Sequence, residues 1–150
     1  MRVLLQRVKS ASVTVEGSLA GEIGTGLLLY IGVGVDDSEA DITFIAGKIP
    51  HLRIFPDEND KMNLSLLQIG GEILAVSQFT LMGDCSHGRR PGFSGAMAPK
   101  EAKAVYERLT AIWRQQGIPV ACGVFQGDML VTSVNWGPVT FMLDSKISRL

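Results

Sequence analysis

The chain has 150 residues, of which 46% are hydrophobic and 19% charged, so it can bury one substantial core, and we expect a single domain over residues 1–150. Its net charge of −1 argues against a protein that covers a long stretch of DNA or RNA, because such binding needs many lysine and arginine contacts to phosphate. Charge interrupts the first residues too early for a signal peptide, and no run of about 18 apolar residues occurs, so we expect a cytoplasmic protein without membrane contact.

The N-terminal part of the sequence is typical of β-strands. Apolar and polar residues alternate over residues 3–15, which predicts a half-buried strand. Gly17 and Ser18 predict a hairpin turn into a second strand over residues 19–23. The apolar run over residues 27–33 predicts a buried third strand.

Two segments have the apolar spacing of helices. Ser38 is a candidate N-cap for a helix over residues 39–49, which Pro50 ends. A second helix is predicted to start at a proline and to run over residues 99–116, with Gly117 ending it.

Between these helices the pattern is mixed. It predicts a short strand over residues 53–55, a charged turn over residues 56–61 and a single helical turn over residues 63–67. A buried strand over residues 73–80 then leads into a glycine-rich loop over residues 83–95.

Three more strands complete the predicted sheet, over residues 120–125, 129–135 and 139–143. Gly137 and Pro138 separate the last two, and proline is poorly suited to a strand because it lacks a backbone N–H. By itself this pair favours an ordinary hairpin turn. The alternative is a projecting tip with a cis peptide bond, since cis is accessible before proline, and a cis bond would turn both carbonyl oxygens the same way.

The predicted strand over residues 73–80 ends in polar side chains. Ser77, Gln78 and Thr80 would bring hydroxyl and amide groups, together with free backbone N–H groups, to the end of the sheet.

Together with residues 62–66, residues 88–91 and residues 137–140, this segment resembles the D-aminoacyl-tRNA deacylases, and the resemblance extends over essentially the whole chain. It implies an α+β fold, with a barrel-like mixed or antiparallel β-sheet and two main helices. It also implies a C2 homodimer in which each Gly-Pro tip enters the active site of the partner.

The activity implied by the resemblance is hydrolysis of the ester bond of D-aminoacyl-tRNA, including glycyl esters mischarged on tRNA(Ala). Backbone N–H groups of Phe79 and Thr80 are candidates for an oxyanion hole, with Ser77 and Gln78 positioning the ligand. Thr80 is either a nucleophile or a hydrogen-bonding orienter. We favour the orienter, with the ribose 2′-OH directing the water, because the sequence offers no obvious base beside it.

The only histidines do not supply that base. His51 follows a proline at the end of a predicted helix, and His87 lies in the predicted loop. Cys85 and Cys122 lie far apart and outside any CxxC or Cys/His cluster, which predicts free thiols. We therefore expect neither a metal site nor another cofactor.

Chiral selectivity is assigned to Gly137 and Pro138 of the partner chain, whose carbonyl groups would fix the substrate's amino group. Specificity would then arise by steric rejection of L side chains. Arg7 is the candidate for orienting this tip by hydrogen bonds to backbone carbonyls, and the alternative is a surface arginine on a strand.

Contacts with the 3′ end of the tRNA are assigned to a further set of residues. Arg89 and Arg90 are candidates for phosphate contact or are a solvated loop pair, whereas Phe79, Phe93 and Met129 contact the terminal adenine or belong to the core. Positions that differ from the expected pattern are Pro50, His51, residues 85–87, Gly92 and Trp136. A noncatalytic module that binds an RNA 3′ end is the alternative function.

Overall fold

A curved β-sheet forms the centre of the molecule, and β1 (Arg2–Val15) is the strand that pairs with the most neighbours. The structure, a computed structural model, describes residues 1–147. β1 pairs antiparallel with β2 (Ser18–Ile23) along its second half and with β3 (Gly26–Gly32) along its first half. β3 pairs in parallel with β6 (Glu72–Ser77), and β6 in parallel with β7 (Val120–Cys122).

The sheet curls until its two edges almost meet. β2 and β7 are the end strands of the hydrogen-bonded order, yet they lie against each other. A Cβ atom on Gly21 of β2 would lie 2.8 Å from the carbonyl oxygen of Cys122 in β7, so only glycine permits this approach. The result is the nearly closed, barrel-like mixed sheet of an α+β protein, as predicted.

β3 is buried on both faces because it separates two layers of core. Leu27, Leu29 and Ile31 face the cluster that includes the helices, whereas Leu28 faces a second cluster inside the barrel. This explains why its sequence is continuously apolar rather than alternating.

Two helices cover the first of these clusters, α1 (Glu39–Lys48) and α3 (Pro99–Gln115). α1 begins where the Ser38 N–H donates to the Asp41 carboxylate at 2.8 Å, and a 3₁₀ turn over Ile49–His51 follows its end. Both helices confirm the sequence analysis to within a residue or two.

α3 is fixed to α1 by its one fully buried aromatic side chain. The indole of Trp113 donates from Nε1 to the carbonyl oxygen of Ala46 in α1 at 3.2 Å. This contact therefore buries an apolar ring and also gives its N–H group a hydrogen-bond acceptor.

Several predicted elements differ in the structure. Of the strand predicted over residues 53–55, only Phe55 lies in a strand. Residues 63–67 are not one helical turn: β5 (Met62–Leu64) pairs with the two-residue β4 (Phe55–Pro56), and α2 (Leu66–Ile69) follows. Ser65 separates β5 from α2 because its hydroxyl accepts from the Gln68 N–H and caps the helix. The strand predicted over residues 120–125 is shorter, ending at Cys122.

The strand predicted over residues 73–80 stops at Ser77, and a 3₁₀ turn over Phe79–Met82 follows it. Ser77 is the last residue paired with β3, opposite Ile31, and the Gln78 N–H still donates to the Ile31 carbonyl at 2.8 Å. Beyond that point β3 offers no partner, so the chain turns.

The hairpin reading of Gly137 and Pro138 is wrong. Both flanking runs belong to β8 (Met129–Asp144), and both pair with β1 rather than with each other. Val8 is opposite Asn135 and Gln6 is opposite Thr140, so residues 136–139 lie opposite Arg7 alone. We call this four-residue excursion (136–139) the tip.

Cys85 and Cys122 are both free, as predicted. Over residues 1–147, no helix combines the length and apolar character needed to cross a membrane.

Candidate active site

A cavity of about 640 Å³ opens where β3 and β6 end. Ser77 and Gln78 lie in its wall, beside the start of the 3₁₀ turn. Most of the remaining wall is apolar and includes Ile31, Val33, Val76, Tyr106, Phe125 and Met129. A largely apolar cleft with a few convergent polar groups is typical of a small-ligand site.

The 3₁₀ turn presents two backbone donors at the cavity edge. The N–H groups of Phe79 and Thr80 are the first in the turn, and neither has a hydrogen-bond partner within the described part of the chain. The initial N–H groups of any helical turn lack internal acceptors, which leaves them available to an anionic oxygen. The turn that replaces the end of the predicted strand therefore leaves both N–H groups without an acceptor among the described residues.

Thr80 is exposed and lies just outside the cavity wall. Gln78 Nε2 donates to its Oγ1 at 2.5 Å, the one side-chain hydrogen bond of Thr80 to the described residues. His87 is exposed in the loop, where its Nδ1 lies 2.6 Å from Ser86 Oγ. Thr80 therefore has an oriented hydroxyl and an amide neighbour, and no general base contacts it in residues 1–147.

Two aromatic rings extend the cavity outward. Phe79 and Phe93 meet edge to face, with ring centroids 5.1 Å apart, and they are 58% and 38% exposed. The core alternative for both is therefore wrong. Met129 lines the cavity and also packs against the barrel core, so its position fits both alternatives given for it.

Tyr106 forms part of the inner wall and is not an acid or base. Its hydroxyl is buried and donates to the Ala75 carbonyl at 2.9 Å. Burial strongly raises the pKa of this phenol, so it stays protonated. The sequence analysis did not identify Tyr106 as a site residue.

Arg89 and Arg90 lie in the exposed loop and do not line the cavity. Neither forms an ion pair with any described residue. They are free to contact an external anion, and the structure gives them no internal role.

Arg7 is buried, with 6% of its surface exposed, so the surface alternative is wrong. Its Nε donates to the carbonyl oxygen of Trp136, the first residue of the tip, at 3.1 Å. Its Nη1 donates to the Ile54 carbonyl at 2.5 Å. Burial lowers the pKa of the guanidinium, which nonetheless remains charged at neutral pH.

Two neighbours that the sequence analysis did not identify fix the base of the tip. Asn135 Nδ2 donates to the carbonyl oxygens of Arg7, at 2.9 Å, and Val139, at 3.4 Å. Two cations contact the Trp136 ring, with Arg7 Cζ 4.5 Å and Lys9 Nζ 3.2 Å from its centroid. The sequence signal for the contact between Lys9 and Trp136 is slight: Lys9 lies two residues from Arg7 on the same predicted strand.

Gly137 and Pro138 are exposed and lie outside the cavity of their own chain. The peptide bond between them is cis, as the alternative reading of the sequence proposed. The carbonyl groups of the tip are thus not available to the cavity that the same chain forms.

Within residues 1–147, no three His, Cys, Asp or Glu side chains come together as a metal site would require. The polar groups of the cavity are hydroxyls, amides and backbone N–H groups. Groups of these kinds can hydrogen-bond an oxygen-containing ligand.

Comparison with known proteins assigns the chain to a family. A family model described as D-Tyr-tRNA(Tyr) deacylase matches residues 4–144. A curated D-aminoacyl-tRNA deacylase of Syntrophobacter fumaroxidans is 51% identical over 146 residues, covering 97% of this chain and 98% of the relative.

Two solved structures share the fold. One, described as c-Myc DNA Unwinding Element Binding Protein, has a TM-score of 0.91 at 35% identity and covers 96% of this chain and 98% of its own. The other, described as a probable eukaryotic D-amino acid tRNA deacylase, has a TM-score of 0.80 at 23% identity, over 95% of this chain and 98% of its own.

The barrel, the cavity and these similarities define an enzyme of the hydrolase class. The chain belongs to the D-Tyr-tRNA(Tyr) deacylase family.

Proposed function

We propose that the chain hydrolyses the ester bond of D-aminoacyl-tRNA and releases the free amino acid and the tRNA. The observation that carries this proposal is that the N–H groups of Phe79 and Thr80, beside an apolar cavity, have no hydrogen-bond partner in residues 1–147. Negative charge develops on the carbonyl oxygen when an ester is attacked, and donors already fixed in place stabilise it.

The reaction needs little beyond these donors. Water attacks the ester carbonyl carbon, the oxyanion is held by the two N–H groups, and the bond to the ribose oxygen breaks as that oxygen takes up a proton. Thr80 orients the ligand, because Gln78 already donates to its hydroxyl and no base contacts it among the described residues. The ribose 2′-OH of the substrate directs the water.

Selection against L-aminoacyl esters is assigned to Gly137 and Pro138 of a partner chain. Both residues are exposed and lie outside their own cavity, which favours a role in a neighbouring molecule. The carbonyl groups of the tip would accept the substrate's amino group, and an L side chain would then strike the wall. Arg7 and Asn135 support this role because they bind the base of the tip.

A homodimer is part of the proposal. Among the described residues β8 pairs with β1 alone, along one edge, and several of its large apolar side chains are exposed. A long, partly apolar free edge favours pairing with a second chain. The exposed residues are Leu130, Val134, Phe141 and Met142.

Rejection by side-chain clash has a consequence for glycine. A glycyl ester has no side chain to reject, so glycyl-tRNA mischarged on tRNA(Ala) is also a substrate. Because the substrates are aminoacyl-tRNAs, we place the activity in the cytoplasm.

A module that only binds an RNA 3′ end is less well supported. Such a module would use Phe79 and the loop arginines, but it would not need two adjacent backbone donors or an oriented threonine. The net charge of −1 also gives little support to extended contact with nucleic acid.

The test is ester loss from matched tRNAs carrying D-tyrosine, L-tyrosine or glycine. We expect fast loss of the D-tyrosyl and glycyl esters and at least about 100-fold slower loss of the L-tyrosyl ester. Binding of all three tRNAs without ester loss would support the binding module instead. Equal hydrolysis of the D and L esters would remove the chiral role of the tip but retain the esterase.

A further inference from the structure

Gln126 adopts a left-handed backbone conformation at the cavity wall. Its φ is 62°, a region that residues with a Cβ atom rarely adopt. It is the third residue of a tight turn that closes with a hydrogen bond from the Gly127 N–H to the Val124 carbonyl at 2.9 Å. Glycine or asparagine normally occupies a position of this kind.

The neighbouring glycine does not relieve this requirement. Gly127 does not have a positive φ, and a Cβ atom there would lie 3.1 Å from both the Cβ and the carbonyl oxygen of Val124. A side chain at 127 would therefore require Val124 to shift by a few tenths of an ångström, while the left-handed conformation falls on Gln126.

Two other non-glycine residues in the described chain, Glu16 and Asp60, have a positive φ. Glu16 precedes Gly17 in the two-residue β1–β2 turn, where the hairpin geometry demands that conformation. Asp60 lies in an exposed turn and is of a type that tolerates it. Gln126 is the one of the three that lines the cavity, and an unfavourable backbone at a binding site points to a functional constraint.

The chemistry of the cavity indicates what Gln126 would contact. Its side chain is exposed, and its amide has no partner among residues 1–147. A free amide offers two donors and one acceptor. An apolar cleft with such an amide at its wall fits a flat heterocycle that has a polar edge, and glutamine pairs well with adenine.

We propose that Gln126 is a specificity-determining residue that recognises the hydrogen-bonding edge of the substrate's terminal adenine. The inference rests on the proposed function, since it assumes that the cavity receives the 3′ nucleoside of an aminoacyl-tRNA. The amide oxygen accepts from the exocyclic amino group of adenine, and the amide N–H₂ donates to a ring nitrogen.

The experiment compares D-tyrosyl-tRNA ending in adenosine with the same tRNA ending in purine riboside, which lacks the exocyclic amino group. For the unaltered protein we expect the KM to be about tenfold higher with purine riboside. In Gln126→Gly the KM for the adenosine substrate should rise about tenfold, with kcat changed less than about twofold, and the two substrates should become equivalent. Unchanged discrimination in Gln126→Gly would overturn the proposal.

Glu16→Gly is the matched control, because it makes the same change at a positive φ outside the cavity. Both variants should unfold at higher urea concentration than the unaltered protein, and only Gln126→Gly should lose discrimination. The same loss in Glu16→Gly would show that relaxing a turn is sufficient, and it would overturn the role of the amide.

A binding measurement separates this inference from the proposed function. Affinities for adenosine 5′-monophosphate and purine riboside 5′-monophosphate can be compared by calorimetry without any ester. A preference for the adenine nucleotide that disappears in Gln126→Gly supports the inference even if no ester is hydrolysed. No preference in the unaltered protein overturns it even if hydrolysis is fast.

Discussion

The guanidinium of Arg7 holds Trp136 in two ways: Nε donates to the Trp136 carbonyl at 3.1 Å, and Cζ lies 4.5 Å from the centre of its indole ring. One buried side chain therefore fixes both the backbone and the side chain of the residue that opens the tip. A planar, forked cation can bond and stack at once, which an ammonium group cannot do.

Arg7→Lys should therefore reduce activity more than its conserved charge suggests. A lysine cannot reach the Trp136 and Ile54 carbonyls together, and a displaced tip should lower kcat/KM for D-tyrosyl-tRNA by about 100-fold. Loss of these buried hydrogen bonds should also lower the free energy of unfolding by about 2–3 kcal/mol. Arg53→Lys, at an exposed arginine that bonds Asn63, is the control and should retain activity. Full activity in Arg7→Lys would remove Arg7 from the mechanism.

Trp136→Leu should loosen the attachment of the tip to β1 without leaving a large cavity in the core. The substitution removes the ring that the Arg7 and Lys9 cations contact but keeps an apolar side chain against the core. We expect about a tenfold fall in kcat/KM and a loss of about 1 kcal/mol in urea unfolding. Lys9→Met removes one of the two cations and should have a smaller effect on both quantities. If Lys9→Met has the larger effect, the ring is not the anchor.

Leu130→Glu should separate the proposed dimer. Leu130 lies on β8 and is 71% exposed, so a charge there would be buried unpaired if a second chain covered this strand. Light scattering should report a monomer, and activity should fall in parallel with the dimer fraction. Leu19→Glu on β2, where the leucine is 56% exposed, is the control and should remain dimeric. A monomeric unaltered protein with full activity would exclude a shared active site.

Thr80→Ala should leave measurable hydrolysis. Thr80 accepts a hydrogen bond from Gln78 and has no base in contact within the described residues, so we expect an orienting role and a fall in kcat of about 10–100-fold. Rapid quenching of the unaltered protein should trap no covalent intermediate, and a tRNA ending in 2′-deoxyadenosine should react poorly. An acyl group isolated on Thr80 would identify it as the nucleophile.

Asp41 should make folding sensitive to acid. Burial alone would raise the pKa of this carboxylate, but hydrogen bonds from Ser145, Ser38 and Lys146 outweigh it, and the net pKa is well below its usual value. A lowered pKa stabilises the fold above the unfolded-state value of about 3.9, and that contribution is lost as the pH falls below it.

Asp41→Asn should accordingly lower the free energy of unfolding by about 3 kcal/mol at pH 7 and reduce its decline between about pH 4 and pH 2. Urea unfolding at several pH values measures both effects. Equal acid sensitivity in the variant and in the unaltered protein would assign the acid response to other carboxylates.

The sequence predicted those parts of the fold that depend on local pattern. Alternation in β1, the apolar run of β3 and the proline that opens α3 each determine structure within a few neighbouring residues, and all three elements were found. The 3₁₀ turn at Phe79 was not predicted, because the strand before it ends where its neighbour β3 ends. The end of this strand is therefore determined by β3, which is distant in sequence, and not by the local pattern.

The site residues show the same division. Ser77 and Gln78 were recognisable as polar residues at the end of an apolar run, and both line the cavity. Asn135 and Lys9 were not, since their contacts depend on β8 pairing with β1 across more than a hundred residues. Burial of Arg7 depends on the same pairing.

Residues 136–139 of β8 lie opposite Arg7 alone, so the length of the tip can change without changing how β8 pairs with β1 in the barrel. In an ordinary strand, one inserted residue would turn every following side chain to the opposite face of the sheet. Here the Val8–Asn135 and Gln6–Thr140 pairings anchor the strand independently on either side. An insertion or deletion within residues 136–139 would thus change the reach of the tip and leave the pairing of residues 140–144 with β1, and the buried Leu143, in place. The tip can therefore vary in evolution or be redesigned while the barrel stays the same.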